Sequence, residues 1–139
     1  MNLTRRNILL AGVGGIAALA LPLPAAAAAI EALTNDFTGG AEAGSDGITL
    51  TAPEIAENGN TVPVSVDAPG AVAILLLAEG NPEPAVATFK FGPAAGSQSV
   101  ATRIRLAKTQ NVIAYAKMAD GSIKKAQSTV KVTIGGCGG

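Results

Sequence analysis

From residue 48 onward the chain alternates apolar and polar residues in short runs separated by turn residues. A period of two puts one face of a strand into a core and the other toward solvent. Residues 48–51, Ile-Thr-Leu-Thr, form the first run. After the turn signal Asn58-Gly59-Asn60, Val62, Val64 and Val66 alternate with Pro63, Ser65 and Asp67. Pro63 has no amide to give a ladder, so this strand is expected at an edge, or with that position facing outward. Past the turn Pro69-Gly70, residues 72–77, Val-Ala-Ile-Leu-Leu-Leu, are apolar throughout, as expected of a strand covered on both faces. Phe89 and Phe91 share one face of the next run, with Thr88 and Lys90 on the other. In residues 100–106, Val100, Thr102, Ile104 and Leu106 lie opposite Arg103 and Arg105. Residues 111–118 form a further strand, and Asp120-Gly121 marks a hairpin turn. Residues 122–134 are long for one strand. Ile123 and Val130 would face opposite sides of an unbroken strand, so a bulge or break is expected between Lys124 and Thr129.

About seven strands spaced every ~8–12 residues point to an all-β fold, an immunoglobulin-like antiparallel β-sandwich over residues 48–134. The cysteine pair and tryptophan of antibody domains are absent, so the hydrophobic effect alone would hold the sheets together. Residues 30–47 read as an N-terminal extension. Ile30, Leu33 and Phe37 fall on one side of two helical turns, and Gly39, Gly40, Gly44 and Gly47 then interrupt regular structure. This extension is expected to dock loosely on the domain or on a partner.

The first 29 residues follow another logic. Thr4-Arg5-Arg6-Asn7-Ile8-Leu9-Leu10 is a twin-arginine start, followed by an apolar run, Pro22, Pro24 and the alanines at 25–29. A charged start, a modest apolar stretch and a small-residue cleavage site make an export signal carried by Arg5 and Arg6. An uncleaved membrane anchor is the alternative. The helix-breaking prolines and the alanine run favour cleavage between Ala25 and Ala29, and hence a periplasmic mature chain.

At the other end, residues 135–139 read Gly135-Gly136-Cys137-Gly138-Gly139 and hold the single cysteine. Glycine loses more conformational freedom on ordering than any other residue, so this segment is expected to be a flexible arm. Cys137 can reach roughly 10 Å beyond Ile134 at about 3.3–3.6 Å per extended residue.

Composition narrows the chemistry. Apolar residues make up 48% of the 139 positions, enough for one core, while aromatic residues make up 3%, too few for base- or sugar-stacking surfaces. Formal net charge is zero, and loss of Arg5 and Arg6 leaves eight basic residues against ten acidic ones. No basic field is present to attract nucleic acid. With no histidine and one cysteine, the common nitrogen and sulfur sets for zinc or copper cannot be assembled from this chain, and the usual general base is missing. No metal site and no cofactor are expected.

Three readings of Cys137 follow. It is incidental, or it forms a structural disulfide to another chain, or it is a covalent attachment point for a substrate passed among enzymes. An unpaired thiol in an oxidising compartment usually pairs or reacts, and four flanking glycines favour access. An unperturbed thiol ionises near pH ~8.5, and no Lys, Arg or His adjoins Cys137 to increase its thiolate fraction. Attachment, with activation supplied by visiting enzymes, is therefore preferred over catalysis by the chain itself. A disulfide-linked interaction module and a thiol-dependent redox enzyme remain the other classes.

Several segments together resemble the SoxY family, the sulfur-carrier subunits of the bacterial thiosulfate-oxidising Sox system. They are the twin-arginine start; Ile55-Ala56-Glu57-Asn58-Gly59-Asn60-Thr61-Val62-Pro63-Val64; Asn81-Pro82-Glu83-Pro84; Thr102-Arg103-Ile104-Arg105-Leu106; Gln110-Asn111-Val112-Ile113-Ala114; and the terminal Gly-Gly-Cys-Gly-Gly. The resemblance implies an immunoglobulin-like sandwich paired with a second small β protein, SoxZ, in a heterodimer. It implies that Cys137 carries the cargo. A cytochrome enzyme, SoxAX, would join thiosulfate to it as a cysteine S-thiosulfonate, and a hydrolase, SoxB, would release sulfate. A sulfur dehydrogenase would oxidise the remaining sulfane sulfur, which otherwise passes elsewhere. Arg103 and Arg105 either meet the partner subunit through salt bridges or are solvated charges on one strand face.

Overall fold

The computed structural model describes residues 25–134. Arg5 and Arg6 lie outside the described residues, as do Gly135, Gly136, Cys137, Gly138 and Gly139. Helix α1 (Ala25–Thr38) leads into nine strands: β1 (Ala43–Gly44), β2 (Thr49–Thr51), β3 (Ile55–Ala56), β4 (Val62–Asp67), β5 (Ala71–Ala78), β6 (Ala85–Lys90), β7 (Ser99–Ile104), β8 (Gln110–Met118) and β9 (Ile123–Val132). The larger sheet runs β1-β9-β8-β5-β6, with β3 also on β9, and the smaller runs β2-β4-β7. The expected all-β sandwich is what forms, and its seven strands of three or more residues fall where the period-two runs place them. The two-residue strands β1 and β3 both pair parallel to β9. Two residues carry no period, which is why alternation does not reveal them.

Alternation becomes packing between the sheets. Val62, Val64 and Val66 turn inward from β4 to meet Ile74 and Leu76 of β5, Ile104 and Leu106, Val112 of β8 and Val130 of β9. Each such side chain contributes roughly 1.5–3 kcal/mol by leaving water. Pro63 sits on the central strand of the smaller sheet rather than on an edge strand. The β2 register ends at Thr51↔Ser65, so at Pro63 the strand has a neighbour on the β7 side alone. The missing amide falls where the ladder is already one-sided.

The unbroken apolar run of β5 has a second core to serve. Leu75 and Leu77 turn away from the sandwich interior and cluster with Ile113, Tyr115 and Ile123 on the outer face of the larger sheet. Helix α1 lays Ile30, Leu33 and Phe37 over them, so the extension docks on its own domain. An isolated helix of 14 residues is marginal in water, and this docked stripe is what holds it.

The same second core removes the bulge expected in β9. Residues from Ile123 to Val130 pair with β8 in an unshifted register, from Lys117↔Ile123 to Gln110↔Val130. Ile123 faces the helix-covered cluster and Val130 the sandwich interior. The expectation assumed a single buried face, but both faces of β9 are covered, so opposite orientations cost nothing. The register shifts fall on β5 instead, between Ala71 and Ala73 and between Leu76 and Leu77. The β8–β9 turn forms as the Asp120-Gly121 signal requires. Gly121 takes a φ of 87°, and Asp120 Oδ1 accepts from Ser122 N–H at 2.8 Å.

Candidate functional site at the root of the C-terminal arm

Cys137 lies outside the described residues, so the site visible here is the last described stretch before it, residues 131–134. The last residues of the chain before the arm are held one by one. Lys131 N–H donates to Glu54 O at 2.8 Å, Val132 N–H to Thr109 Oγ1 at 2.9 Å and Thr133 N–H to Ala56 O at 3.1 Å. Thr133 Oγ1 donates to Glu57 O at 3.1 Å. Ile134 O accepts from Gly59 N–H at 2.8 Å, and Gly59 O in turn accepts from Leu106 N–H at 2.8 Å. The Asn58-Gly59-Asn60 turn thus works as a clasp between the root of the arm and the end of β7. Asn58 Oδ1 shapes it by accepting Asn60 N–H at 3.0 Å. The Ile134 side chain is 67% exposed, so backbone bonds, and not burial of that side chain, fix the root.

Two side-chain amides brace the loops around this clasp. Gln110 is 7% exposed and fully used: Oε1 accepts from Gly80 N–H at 2.8 Å, and Nε2 donates to Asn81 Oδ1 at 2.8 Å and to Lys108 O at 3.0 Å. Asn81 Oδ1 also accepts from Ala107 N–H at 2.9 Å, and Asn81 Nδ2 donates to Arg105 O at 2.7 Å. A Cβ on Gly80 would come within 2.8 Å of Gln110 Cβ, so this close approach needs glycine. Beside the amides, Asn111 Nδ2 donates to Glu79 Oε1 and Thr129 Oγ1 to Asn111 Oδ1, both at 2.6 Å. Satisfied networks of this kind, here partly buried around Gln110, rigidify the loops they join.

The two carboxyls held below the ordinary aspartate range are remote from the clasp. Lys124 Nζ, 3.0 Å away, holds Asp46 down chiefly through its hydrogen bond, and Ser122 does the same for Asp120. Among the described residues no group of three or more Cys, Asp or Glu side chains converges to hold a metal ion. Arg103 and Arg105 are both exposed. Arg103 Nη1 donates to Thr61 Oγ1 at 3.5 Å, and no salt bridge joins either arginine to a carboxylate among the described residues.

Comparison with known proteins turns this geometry into a family. The model for the sulfur oxidation protein SoxY matches residues 34–137. This chain belongs to the SoxY family. The structure is similar to that of the sulfur carrier protein SoxY from Chlorobium limicola f thiosulfatophilum, with 36% identity, a TM-score of 0.66, and coverage of 78% of this chain and 99% of that one. It is also similar to superoxide reductase (neelaredoxin) from Ignicoccus hospitalis, at 21% identity and a TM-score of 0.54 over 61% of this chain and 79% of that one. That second likeness is one of fold alone. No curated protein matches.

The SoxY segments singled out in the sequence acquire a physical role here. Four of them meet at the root of the arm. Residues 55–64 bring Ala56 O, Glu57 O and Gly59; residues 81–84 bring Asn81; residues 102–106 bring Arg105 O and Leu106 N–H; residues 110–114 bring Gln110. Sequence reasoning had not named Gly59, Asn81, Gln110 or Thr133 as site residues. The signal available was chemical: amide side chains within those segments, in loops where a long-range partner is needed but cannot be identified by period.

Proposed function

We propose that this SoxY-family chain is a sulfur carrier of periplasmic thiosulfate oxidation, with Cys137 Sγ as the attachment point. The observation that supports this most directly is the extent of the family match, which runs through residue 137. The clasped root gives that cysteine a fixed point of departure, and the glycines on either side leave its sulfur accessible. From Ile134 the sulfur reaches roughly 10 Å past the sheet, enough to enter a cleft on another protein while the sandwich stays outside.

The chemistry proposed on Cys137 balances as follows. Thiolate and thiosulfate join through a new S–S bond, giving Cys–S–S–SO₃⁻, and a cytochrome partner takes the two electrons released. Water then attacks the terminal sulfonate sulfur. The S–S bond to it breaks, sulfate and two protons leave, and a cysteine persulfide remains. Oxidation or transfer of that sulfane sulfur by a further enzyme regenerates the thiol. This chain contributes the sulfur atom, the reach and the docking; a thiol without a neighbouring cation supplies little nucleophilic bias of its own. A SoxZ-like β subunit is the proposed stable partner, and a SoxAX-type cytochrome, a SoxB-type hydrolase and a sulfur dehydrogenase the transient ones.

Export by the twin-arginine route is part of the same proposal. Cleavage between Ala25 and Ala29 would trim the first turns of α1 while keeping Ile30, Leu33 and Phe37, the three residues that pack on the sheet. The test is intact-mass analysis after incubation with thiosulfate and the cytochrome partner. A thiosulfonate adduct is expected on the wild-type chain and none on Cys137→Ser. Equal loading of both proteins would overturn the assignment. A stable disulfide to one defined chain, with no sulfur adduct, would replace it with the structural-module reading.

A further inference from the structure

Asn58-Gly59 is the sole Asn-Gly pair in the chain, and its two potentially reacting groups stand under opposite control. Glycine carries no side chain, so the Gly59 nitrogen can approach the Asn58 carboxamide carbon without steric hindrance. Asn58 is exposed, whereas Gly59 is buried. Asn58 Oδ1 accepts Asn60 N–H at 3.0 Å, the side-chain-to-backbone turn that asparagine favours with the residue two places on. That bond holds the carboxamide against the main chain of the turn. It also draws electrons away from Cγ, which makes that carbon more electrophilic. The nitrogen is restrained instead: Gly59 N–H donates to Ile134 O at 2.8 Å, and Gly59 O is held in place by Leu106 N–H at 2.8 Å. A polarised electrophile thus adjoins a nucleophile tied to residue 134, and the tie must open before the two can react.

We propose that Asn58 is a site of spontaneous main-chain modification, with the hold on Ile134 setting its rate. Once Gly59 N–H leaves Ile134 O, water or hydroxide takes its proton and the nitrogen attacks Asn58 Cγ. The new C–N bond closes a cyclic imide, the Cγ–Nδ2 bond breaks, and Nδ2 takes up a proton and leaves as ammonia. Water then opens the imide at either carbonyl. Opening at the former main-chain carbonyl leaves isoaspartate, and opening at Cγ leaves aspartate. No electrons change hands, and water is the only co-reactant. Isoaspartate routes the main chain through Cβ and Cγ, so the turn becomes longer and Gly59 is displaced from both Ile134 O and Leu106 N–H. The reaction runs one way, so the clasp opens and does not re-form. Lys131, Val132 and Thr133 keep their bonds to Glu54 O, Thr109 Oγ1 and Ala56 O, and β9 stays in place while its end is released. The step involves no sulfur chemistry and stands apart from the carrier reading.

The test is peptide mapping of the full chain after incubation in mildly alkaline buffer, with electron-transfer fragmentation to tell isoaspartate from aspartate. Conversion is expected at Asn58 and not at Asn60, where Thr61 crowds the nitrogen. Ammonia release separates it from isomerisation at Asp46-Gly47 or Asp120-Gly121, which frees none. The chain unfolded in guanidinium chloride is expected to convert Asn58 at least about tenfold faster than the folded chain, the protection that one hydrogen bond and local closure give. Thr133→Val removes the side-chain bond to Glu57 O and is expected to convert about threefold faster than the parent while folded by circular dichroism. Thr109→Val, which frees Val132 N–H, serves the same purpose where Thr133→Val does not fold. Equal rates in the folded and unfolded chain, in the parent and the folded variant, or at Asn58 and Asn60 overturn the proposal. In the separated isoaspartate form, the Leu106 amide is expected to exchange hydrogen at least about tenfold faster. Unchanged protection there overturns the opening of the clasp.

Discussion

The two outer faces of the sandwich have opposite characters. On the larger sheet, Leu75, Leu77, Ile113, Tyr115 and Ile123 form an apolar patch, and helix α1 closes over it. On the smaller sheet Thr49, Thr51, Pro63, Ser65, Asp67, Ser99, Ala101 and Arg103 face outward, and all but the half-buried Ser65 are exposed. One face is satisfied within the chain because its residues must leave water to be stable. The other tolerates water because its side chains are small, polar or charged. A single domain thus places its apolar residues in two internal layers and leaves its polar face to water.

The sharpest way to break this contrast is to delete a buried side chain under the helix. Leu77 has no exposed surface, so Leu77→Ala is expected to cost about 2–5 kcal/mol. Ser65→Ala on the opposite face should stay within about 0.5 kcal/mol. Urea unfolding of both variants measures the difference, and equal midpoints would mean that the helix-side cluster is not a core.

Gln110→Leu probes an interior that is polar instead. It keeps the volume but leaves Gly80 N–H and Lys108 O without their partner, at an expected cost of about 1–3 kcal/mol. Proteolysis near residues 79–81 should rise with it, because the same side chain braces those loops.

A smaller effect is expected from the helix itself. Leu33 is only partly buried, and Leu33→Ala should lose about 1–2 kcal/mol. Tyr115 is the sole tyrosine and the chain has no tryptophan. Its fluorescence therefore reports directly on whether α1 stays docked, with Lys125 Nζ 5.7 Å from the ring centroid on the same sheet. Unchanged tyrosine emission and unchanged stability in Leu33→Ala would show that the helix contributes little to the covered face.

The smallest effect concerns the border of that face, where Asp46 and Lys124 join the β1 region to β9. The hydrogen bond from Lys124 depresses the carboxyl of Asp46 in the folded chain. Its contribution is present above the unfolded aspartate value near ~3.9 and is lost as pH falls through the lower folded value. Asp46→Asn should lose that small contribution at neutral pH, flatten the stability profile in the acid window and converge with the parent chain below it. The test is urea unfolding as a function of pH; an acid difference larger than the neutral-pH one would contradict it.

Much of this architecture is legible in the chain. Short runs with period two, broken at Asn58-Gly59, Pro69-Gly70 and Asp120-Gly121, lead to a sandwich because alternation has one stable solution, a half-buried strand. The family is equally legible, through the segments at 55–64, 81–84, 102–106 and 110–114. The bulge expected in β9 shows where such reading stops. From sequence, Ile123 and Val130 conflict, since a local pattern does not reveal that a helix far earlier in the chain covers the second face.

The tertiary structure decided the rest. The amides of Asn81 and Gln110, and the backbone of Gly59, act on partners 24 to 75 positions away, and period and turn chemistry describe neighbours only. The pairing of β4 with β7 likewise set Asp67 and Arg103 at opposite ends of one face, a relation that depends on register. The sequence by itself determined which positions must be buried and where the chain must turn, because hydrophobic pattern and backbone freedom are local properties. Only folding determined how the root of the arm is clasped and which charges share a surface, because both depend on residues distant in the chain becoming neighbours.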